Sequence, residues 1–335
     1  MSDPKRVGVV GASGFTGALA AELVWRHPRL ELAAATARAE AGTPLAELYP
    51  RYRVPITLSE YEPGAAKGWD AAIVAYPHGA AAPVVAELAA AGLPVVDLSA
   101  DFRIRERSTY ERWYGEHPAF ELVADAAYGL TELNREAVAT AKIVANPGCY
   151  PTATILALAP LAAEGLLDDV IVDAKSGVSG AGRGGGDRLH FVNVDENLSP
   201  YGTAGHRHEP EIAQELAALG AAAATTVTFV PHLVPLDQGE LVSCYVRPAR
   251  ELGADELRAL YAARYADEPF VELVDAPPGV RDVRDTNFCR IHVTTDSHGR
   301  PLVFSAIDNL WKGASGQAIQ NLNLMLGLEE SEGLS

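Results

Sequence analysis

Four side chains carry most of the covalent and ionic chemistry this sequence offers: the thiol of Cys149, the imidazoles of His206 and His208, and the guanidinium of Arg103. Cys149 stands in Ala145-Asn146-Pro147-Gly148-Cys149-Tyr150-Pro151-Thr152. Apolar Ile143-Val144-Ala145 reads as a strand end, Pro147 and Gly148 as a tight turn, and residues 152–164 as a helix. A thiol placed where a helix begins meets unpaired N–H groups and the positive end of the helix dipole. Both favour thiolate and lower the thiol pKa from its free value of ~8.5. A cysteine is more often a small buried hydrophobe. Cys244 reads that way from its apolar neighbours and Cys289 is ambiguous, but the turn around Cys149 points to a nucleophile.

The histidines lie in Gly205-His206-Arg207-His208-Glu209-Pro210-Glu211-Ile212, just ahead of a helical pattern over 212–219. An imidazole titrates near neutral pH and can both hold a thiolate and move a proton, so one of the two is a candidate acid/base partner of Cys149. A solvent-facing cap is the plainer reading. Zinc ligation lacks a third ligand at a sensible spacing, and no metal is expected. Arg103 ends Ser99-Ala100-Asp101-Phe102-Arg103 after a strand at 93–98. It can clamp a carboxylate or phosphate in bidentate fashion, or pair with Asp101. His78, Tyr110, Trp113 and Tyr114 read as packing.

Two sets of elements must position these groups. Apolar residues 7–10 run into Gly11-Ala12-Ser13-Gly14-Phe15-Thr16-Gly17 and a helix through Trp25, the strand–turn–helix order of a nucleotide site. Glycines admit a pyrophosphate close to the backbone, and N–H groups at the helix start meet its charge, so Gly11, Ser13, Gly14, Phe15 and Thr16 are candidate cofactor residues. An NAD site would place an acid at the end of the second strand, over 30–36, to hold the ribose 2′-hydroxyl. This chain reads Ala35-Thr36-Ala37-Arg38 instead. A cation there suits a 2′-phosphate and makes NADP(H) the expected cofactor; a merely solvated Arg38 is the other reading. Strands at 71–75 and 93–98 separated by an Ala-rich helix over 80–91 complete a Rossmann-type doubly wound α/β pattern.

The later half differs. A strand at 170–175 leads into the glycine-rich 176–186, which can wrap a ligand or move. Strands at 225–230, 241–246 and 289–295 and a helix over 254–265 predict an α+β domain able to support the site and a subunit interface. Residues 306–318 open a final helix through Leu326, read as returning to the first domain with Asn309 brought back to the cofactor. The domains expected are 1–148 with 305–335 for NADP binding, and 149–304 for catalysis and oligomerisation.

A chain of 335 residues has room for two domains, and 48% hydrophobic with 21% charged residues is the composition of a soluble globular protein. Lys and Arg number 27 against 44 Asp and Glu, a net charge of −17 that argues against nucleic acid and anionic membranes as partners. Small anions held by a few local groups stay open. Three widely spaced cysteines without CxxC spacing, no signal-like start and no apolar span of ~18 residues point to the cytoplasm.

GASGFTG, DLSADFR, NPGCYPT, SGVSGAGR, GHRHEPEI and DNLWKGASGQAIQNLN, in this order over nearly the whole chain, closely resemble the N-acetyl-gamma-glutamyl-phosphate reductases of arginine biosynthesis. The resemblance implies an NADP-binding Rossmann domain, a catalytic α+β domain like those of aspartate-semialdehyde and glyceraldehyde-3-phosphate dehydrogenases, and a homo-oligomer, usually a tetramer. It implies Cys149 as nucleophile and His206 as base, with His208 and Arg103 nearer the substrate, and it matches Ser13 to Thr16, Arg38 and Asn309 to cofactor positions. The implied reaction is NADPH-dependent reduction of an acyl phosphate to a semialdehyde and inorganic phosphate through a cysteine thioester. A sister family of lysine biosynthesis reduces a carrier-bound aminoadipyl phosphate; the intact NPGCYPT favours the acetylglutamyl substrate. A cysteine hydrolase would leave GASGFTG and Arg38 unexplained, and a non-catalytic NADP sensor would not need the thiol.

Overall fold

A computed structural model describes residues 3–184 and 186–334. The chain divides into two compact units, one built from the residues up to Gly148 together with those from Ala314 onward, the other from Cys149–Gly313.

The first unit holds six strands: β1 (Lys5–Val10), β2 (Leu30–Thr36), β3 (Ala71–Val74), β4 (Val95–Asp97), β5 (Ala126–Tyr128) and β6 (Ile143–Ala145). They pair in parallel in the order β2-β1-β3-β4-β6-β5. Val7, Val9, Ile73, Val74, Val95 and Val96 are fully buried. A parallel sheet is covered on both faces, which is why these strands are continuous apolar runs and not alternating ones. Strand order reverses between β1 and β3, and ligands of such sheets gather at the carboxyl ends of strands at that switch point. The glycine turn 11–14 and Tyr76 both follow the strands flanking it.

The second unit is a seven-stranded mixed sheet of β7 (Leu167–Ser176), β8 (Ser199–Pro200), β9 (Thr226–Leu233), β10 (Glu240–Pro248), β11 (Val271–Leu273), β12 (Cys289–Thr295) and β13 (Pro301–Ile307), in the order β11-β12-β13-β10-β7-β9-β8. Its core is the helix Cys149–Ala163, buried along almost its whole length. Pro160 sits inside that helix and has no N–H to give the Leu156 carbonyl four residues back. The Tyr265 hydroxyl, from the helix Ala254–Tyr265, donates to that carbonyl in its place.

Two elements differ from the sequence reading. Residues 306 and 307, read as the opening of the final helix, instead close strand β13, and the C-terminal helix, Gly316–Met325, follows a π-helical turn over Trp311–Ser315. The cysteine helix starts at Cys149 itself, three residues earlier than read, because proline is tolerated in a first turn, where its missing N–H has no intrahelical use. Among the described residues no helix is long and apolar enough to cross a membrane.

Candidate active site

In the first unit the turn after β1 is shaped by contacts that exclude side chains. Gly11 has φ +92°, and a Cβ there would lie 2.7 Å from the Ala75 carbonyl oxygen; a Cβ on Gly17 would lie 2.2 Å from the Gly11 oxygen. Gly14 is different: a Cβ on it would meet only the Gly11 oxygen, at 3.9 Å. No packing explains a glycine there, so the space in front of it suits a group brought in from outside. Gly14 caps the helix Phe15–Arg26 without any side-chain hydrogen bond or acidic residue in the first turn, which leaves the N–H groups of that turn to an anion. The carbonyls of Ser13 and Thr16 are held by the hydroxyls of Tyr49 and Ser315, each at 2.8 Å. Arg38 is exposed beyond β2 with its guanidinium 4.7 Å over the Tyr76 ring, which fixes a cation where a 2′-phosphate would be read. These residues fit a dinucleotide phosphate chain.

Arg103 is buried in the same unit, with Nε donating to the Asn146 carbonyl at 2.7 Å and Nη2 to the Leu98 carbonyl at 2.8 Å. It braces the chain three residues before Cys149. The Asp101 carboxylate turns elsewhere, to the N–H groups of Gly79 and Ala82 and the Tyr110 hydroxyl. Burial, with Asp101 alongside, pushes the Asp97 carboxyl up to about 7. His78 accepts the Ala100 N–H, and Tyr110 stacks on Tyr114.

In the second unit Cys149 is partly exposed, while Cys244 and Cys289 are buried; none of the three is in a disulfide. A Cβ on Gly313 would come within 2.8 Å of the Cys149 Cβ, so the close approach of these two segments requires glycine. His206, His208, Tyr150, Tyr201 and Phe229 form one cluster of edge-to-face and tilted rings, with centroids 4.8 Å apart for the two imidazoles, 5.5 Å for Tyr201 and His206, and 5.8 Å for Tyr150 and His208. His206 Nδ1 accepts the His208 N–H at 3.2 Å. Burial and then Arg207 push His206 down to about 4, so its imidazole is neutral at pH 7. It can take or relay a proton there but supplies no cation to hold a thiolate. The Tyr201 hydroxyl donates to that of Tyr150, which donates to the His232 carbonyl.

Glu240, at the head of β10, was not singled out from sequence, although a carboxylate opening the apolar run Leu241-Val242 is itself a signal. It is fully buried beside Ser176 and Ile307 in register. The Cys149 thiol and the Ser176 hydroxyl are the groups that favour its charged form. Asn309 lies in this unit, buried, its amide oxygen accepting the Gly239 N–H at 2.8 Å and its Nδ2 donating to Ser179 Oγ at 3.0 Å. The glycine-rich loop is therefore anchored at its start, with Val178 N–H and Ser179 Oγ also bound to the Leu236 and Asp237 carbonyls.

A doubly wound nucleotide sheet and a mixed α+β unit headed by a thiol define the semialdehyde dehydrogenase class. Residues 6–141 match the model of the semialdehyde dehydrogenase NAD binding domain and residues 149–309 that of the semialdehyde dehydrogenase dimerisation domain. The fold is shared with aspartate semialdehyde dehydrogenase II of Vibrio cholerae (TM-score 0.76, 21% identity, 97% of this chain and 99% of that one) and with the Candida albicans aspartate semialdehyde dehydrogenase solved with NADP (TM-score 0.69, 18% identity, again 97% and 99%). The chain is 48% identical to the N-acetyl-gamma-glutamyl-phosphate reductase of Desulforudis audaxviator over 98% of its own length and 97% of that protein's, and 47% identical to that of Bordetella pertussis over 98% and 96%. It belongs to the N-acetyl-gamma-glutamyl-phosphate reductase family.

Proposed function

We propose that this protein reduces N-acetyl-gamma-glutamyl phosphate to N-acetyl-L-glutamate 5-semialdehyde and inorganic phosphate with NADPH, in arginine biosynthesis. Family membership over the full length supports this reading. The structural observation that carries it is a partly exposed thiol at the first residue of a buried helix, with ionisable groups gathered beside it in the same unit.

Cys149 is the nucleophile: its sulfur attacks the acyl phosphate, phosphate departs, and a thioester remains, an acceptor good enough for reduction and a leaving group good enough for release. N–H groups at the start of the Cys149 helix stabilise the oxyanion formed on the way. His206, neutral at rest, relays a proton from solvent to the departing phosphate. His208 and Arg103 bind the substrate's anionic groups. In the first unit Gly11, Ser13, Gly14, Phe15 and Thr16 would hold the phosphates of NADPH and Arg38 its 2′-phosphate, and the cofactor supplies the hydride when bound. The protein works as a homo-oligomer in the cytoplasm, a compartment that suits three cysteines outside any disulfide. Ile171 and Tyr245, cross-strand neighbours at 46% and 45% exposure, mark the sheet face that a second copy covers.

Cys149→Ser is expected to keep NADP(H) affinity and to lose phosphate-dependent oxidation of the semialdehyde by at least ~1,000-fold. Turnover at the wild-type rate would refute the thioester route. Running carrier-bound aminoadipyl semialdehyde beside it assigns the substrate.

A further inference from the structure

A carboxyl shut away from the surface with no ordinary hydrogen bond from the protein is costly to keep in a core, and an apolar residue at the same place would be more stable. Glu240 is such a group. It is 0% exposed, neither of its oxygens makes a hydrogen bond of ordinary geometry among the described residues, and it stands level with Ser176 of β7 and Ile307 of β13 at the end of the sheet. The groups facing it are the Cys149 thiol from the central helix, the Ser176 hydroxyl from β7 and the Asp308 carboxyl just past β13, and its charge is felt by Tyr150 and Tyr201. Asp308 is committed elsewhere, to the N–H groups of Asp285, Leu310 and Trp311. A Cβ built on Gly313 would lie 2.8 Å from the Cys149 Cβ and 3.2 Å from the Cδ1 of Ile307, the cross-strand partner of Glu240, so among the described residues the thiol is the reactive group placed to address this carboxyl.

We propose that Glu240 is a further catalytic residue, the acceptor and store of the Cys149 thiol proton; the proposal rests on the reading of Cys149 as nucleophile. In acylation the Sγ–H proton passes to a Glu240 oxygen, the freed sulfur pair forms the S–C bond with the acyl carbon, and the C–O bond to phosphate breaks with its pair on phosphate. The one proton that the overall reduction takes from solvent goes to that phosphate, which leaves as the hydrogen phosphate dianion. Once the acyl group is reduced, the C–S bond breaks with its pair on sulfur, the carbonyl re-forms, and the stored proton returns from Glu240 to Sγ. Burial pushes the Glu240 carboxyl up to about 8, so the acceptor is its ionised fraction, a stronger base than an ordinary carboxylate, and the acid formed from it holds the proton until the sulfur is released. A neutral His206 is then left with the phosphate's proton alone.

The test is the pH dependence of Cys149 alkylation by iodoacetamide, with Cys149→Ser as blank, in the wild type and in Glu240→Gln and Glu240→Asp; Cys244 and Cys289 are buried and add little. Thiol and carboxyl titrating as a coupled pair give the wild type two ionisation steps between about pH 5 and 10, and Glu240→Gln one. Glu240→Gln is expected to lose roughly 100-fold or more in kcat/KM with the KM for NADPH unchanged, and Glu240→Asp to recover part of that loss. A Glu240→Gln enzyme with the wild-type alkylation profile and kcat/KM within about threefold of wild type overturns the proposal. If Glu240→Gln does not fold, the wild-type profile decides, a single step counting against it. An inactive Cys149→Ser beside a fully active Glu240→Gln removes only the role of Glu240, whereas an active Cys149→Ser removes the nucleophile itself.

Discussion

At His206 burial works against charge, and Arg207 next to it adds a like charge, so the imidazole stays neutral well below pH 7. Removing that charge with Arg207→Ala is expected to move the His206 titration upward, observed by NMR of the ring protons; an unmoved midpoint would mean that Arg207 exerts no field there. Arg38 belongs to the same scale. Its guanidinium is fixed over Tyr76, so Arg38→Ala is expected to raise the KM for NADPH by about tenfold, the worth of one modest ionic contact, while leaving that for NADH unchanged. A parallel loss of both cofactors would make Arg38 a structural residue. Cys149, His206 and Arg38 stand out in sequence as candidates because each lies in a turn beside a strand or helix end, where chemistry has a local signature. Tyr150, Tyr201 and Glu240 do not. Their meeting depends on how β10 aligns with β7 and β13 and on how three distant segments come together, and spacing does not carry register.

Two devices hold the central helix of the second unit. Pro160 deprives the Leu156 carbonyl of its helical donor and Tyr265 replaces it, so Tyr265→Phe leaves a buried carbonyl unsatisfied at a cost of about 1–3 kcal/mol, read as a lower urea midpoint with an unchanged m-value. An unchanged midpoint would show the carbonyl to be satisfied some other way. At the other end of the helix, Gly313→Ala would force a methyl within 2.8 Å of the Cys149 Cβ, and is expected to slow thiol alkylation and turnover together. Long elements were legible because their apolar runs exceed a turn's length: β1, β2, β12 and the helix Ala254–Tyr265 fall where the sequence puts them. β5, β8 and β11, of two or three residues each, are too short to show a period, and the last two residues of β13, Ala306 and Ile307, run straight into the polar turn at Asp308 and Asn309 and were read with the helix that follows.

Across the whole molecule the buried carboxyls make stability depend on pH. An acid whose folded pKa is raised binds its proton more tightly in the native state. The native state is therefore not penalised below the unfolded value near ~4, is increasingly penalised as pH rises, and is fully penalised above the folded value. For Asp97 and Glu240 that window closes at about 7 and about 8. Glu240→Gln is accordingly expected to melt several degrees above wild type at pH 8.5 and close to it at pH 4; an advantage that does not grow with pH would contradict the burial of an ionisable group there. The open sheet face carries a second expectation, that Tyr245→Arg lowers the mass of the assembly in light scattering. The claim on which the rest depends is the covalent acyl-enzyme, and its most direct measurement is peptide mass spectrometry after mixing the protein with N-acetyl-gamma-glutamyl phosphate, without NADPH, and quenching in acid. The account requires an acyl adduct confined to the peptide bearing Cys149, formed as phosphate is released and lost when NADPH is added before the quench. An unmodified Cys149 in an enzyme that turns over at its full rate would contradict it.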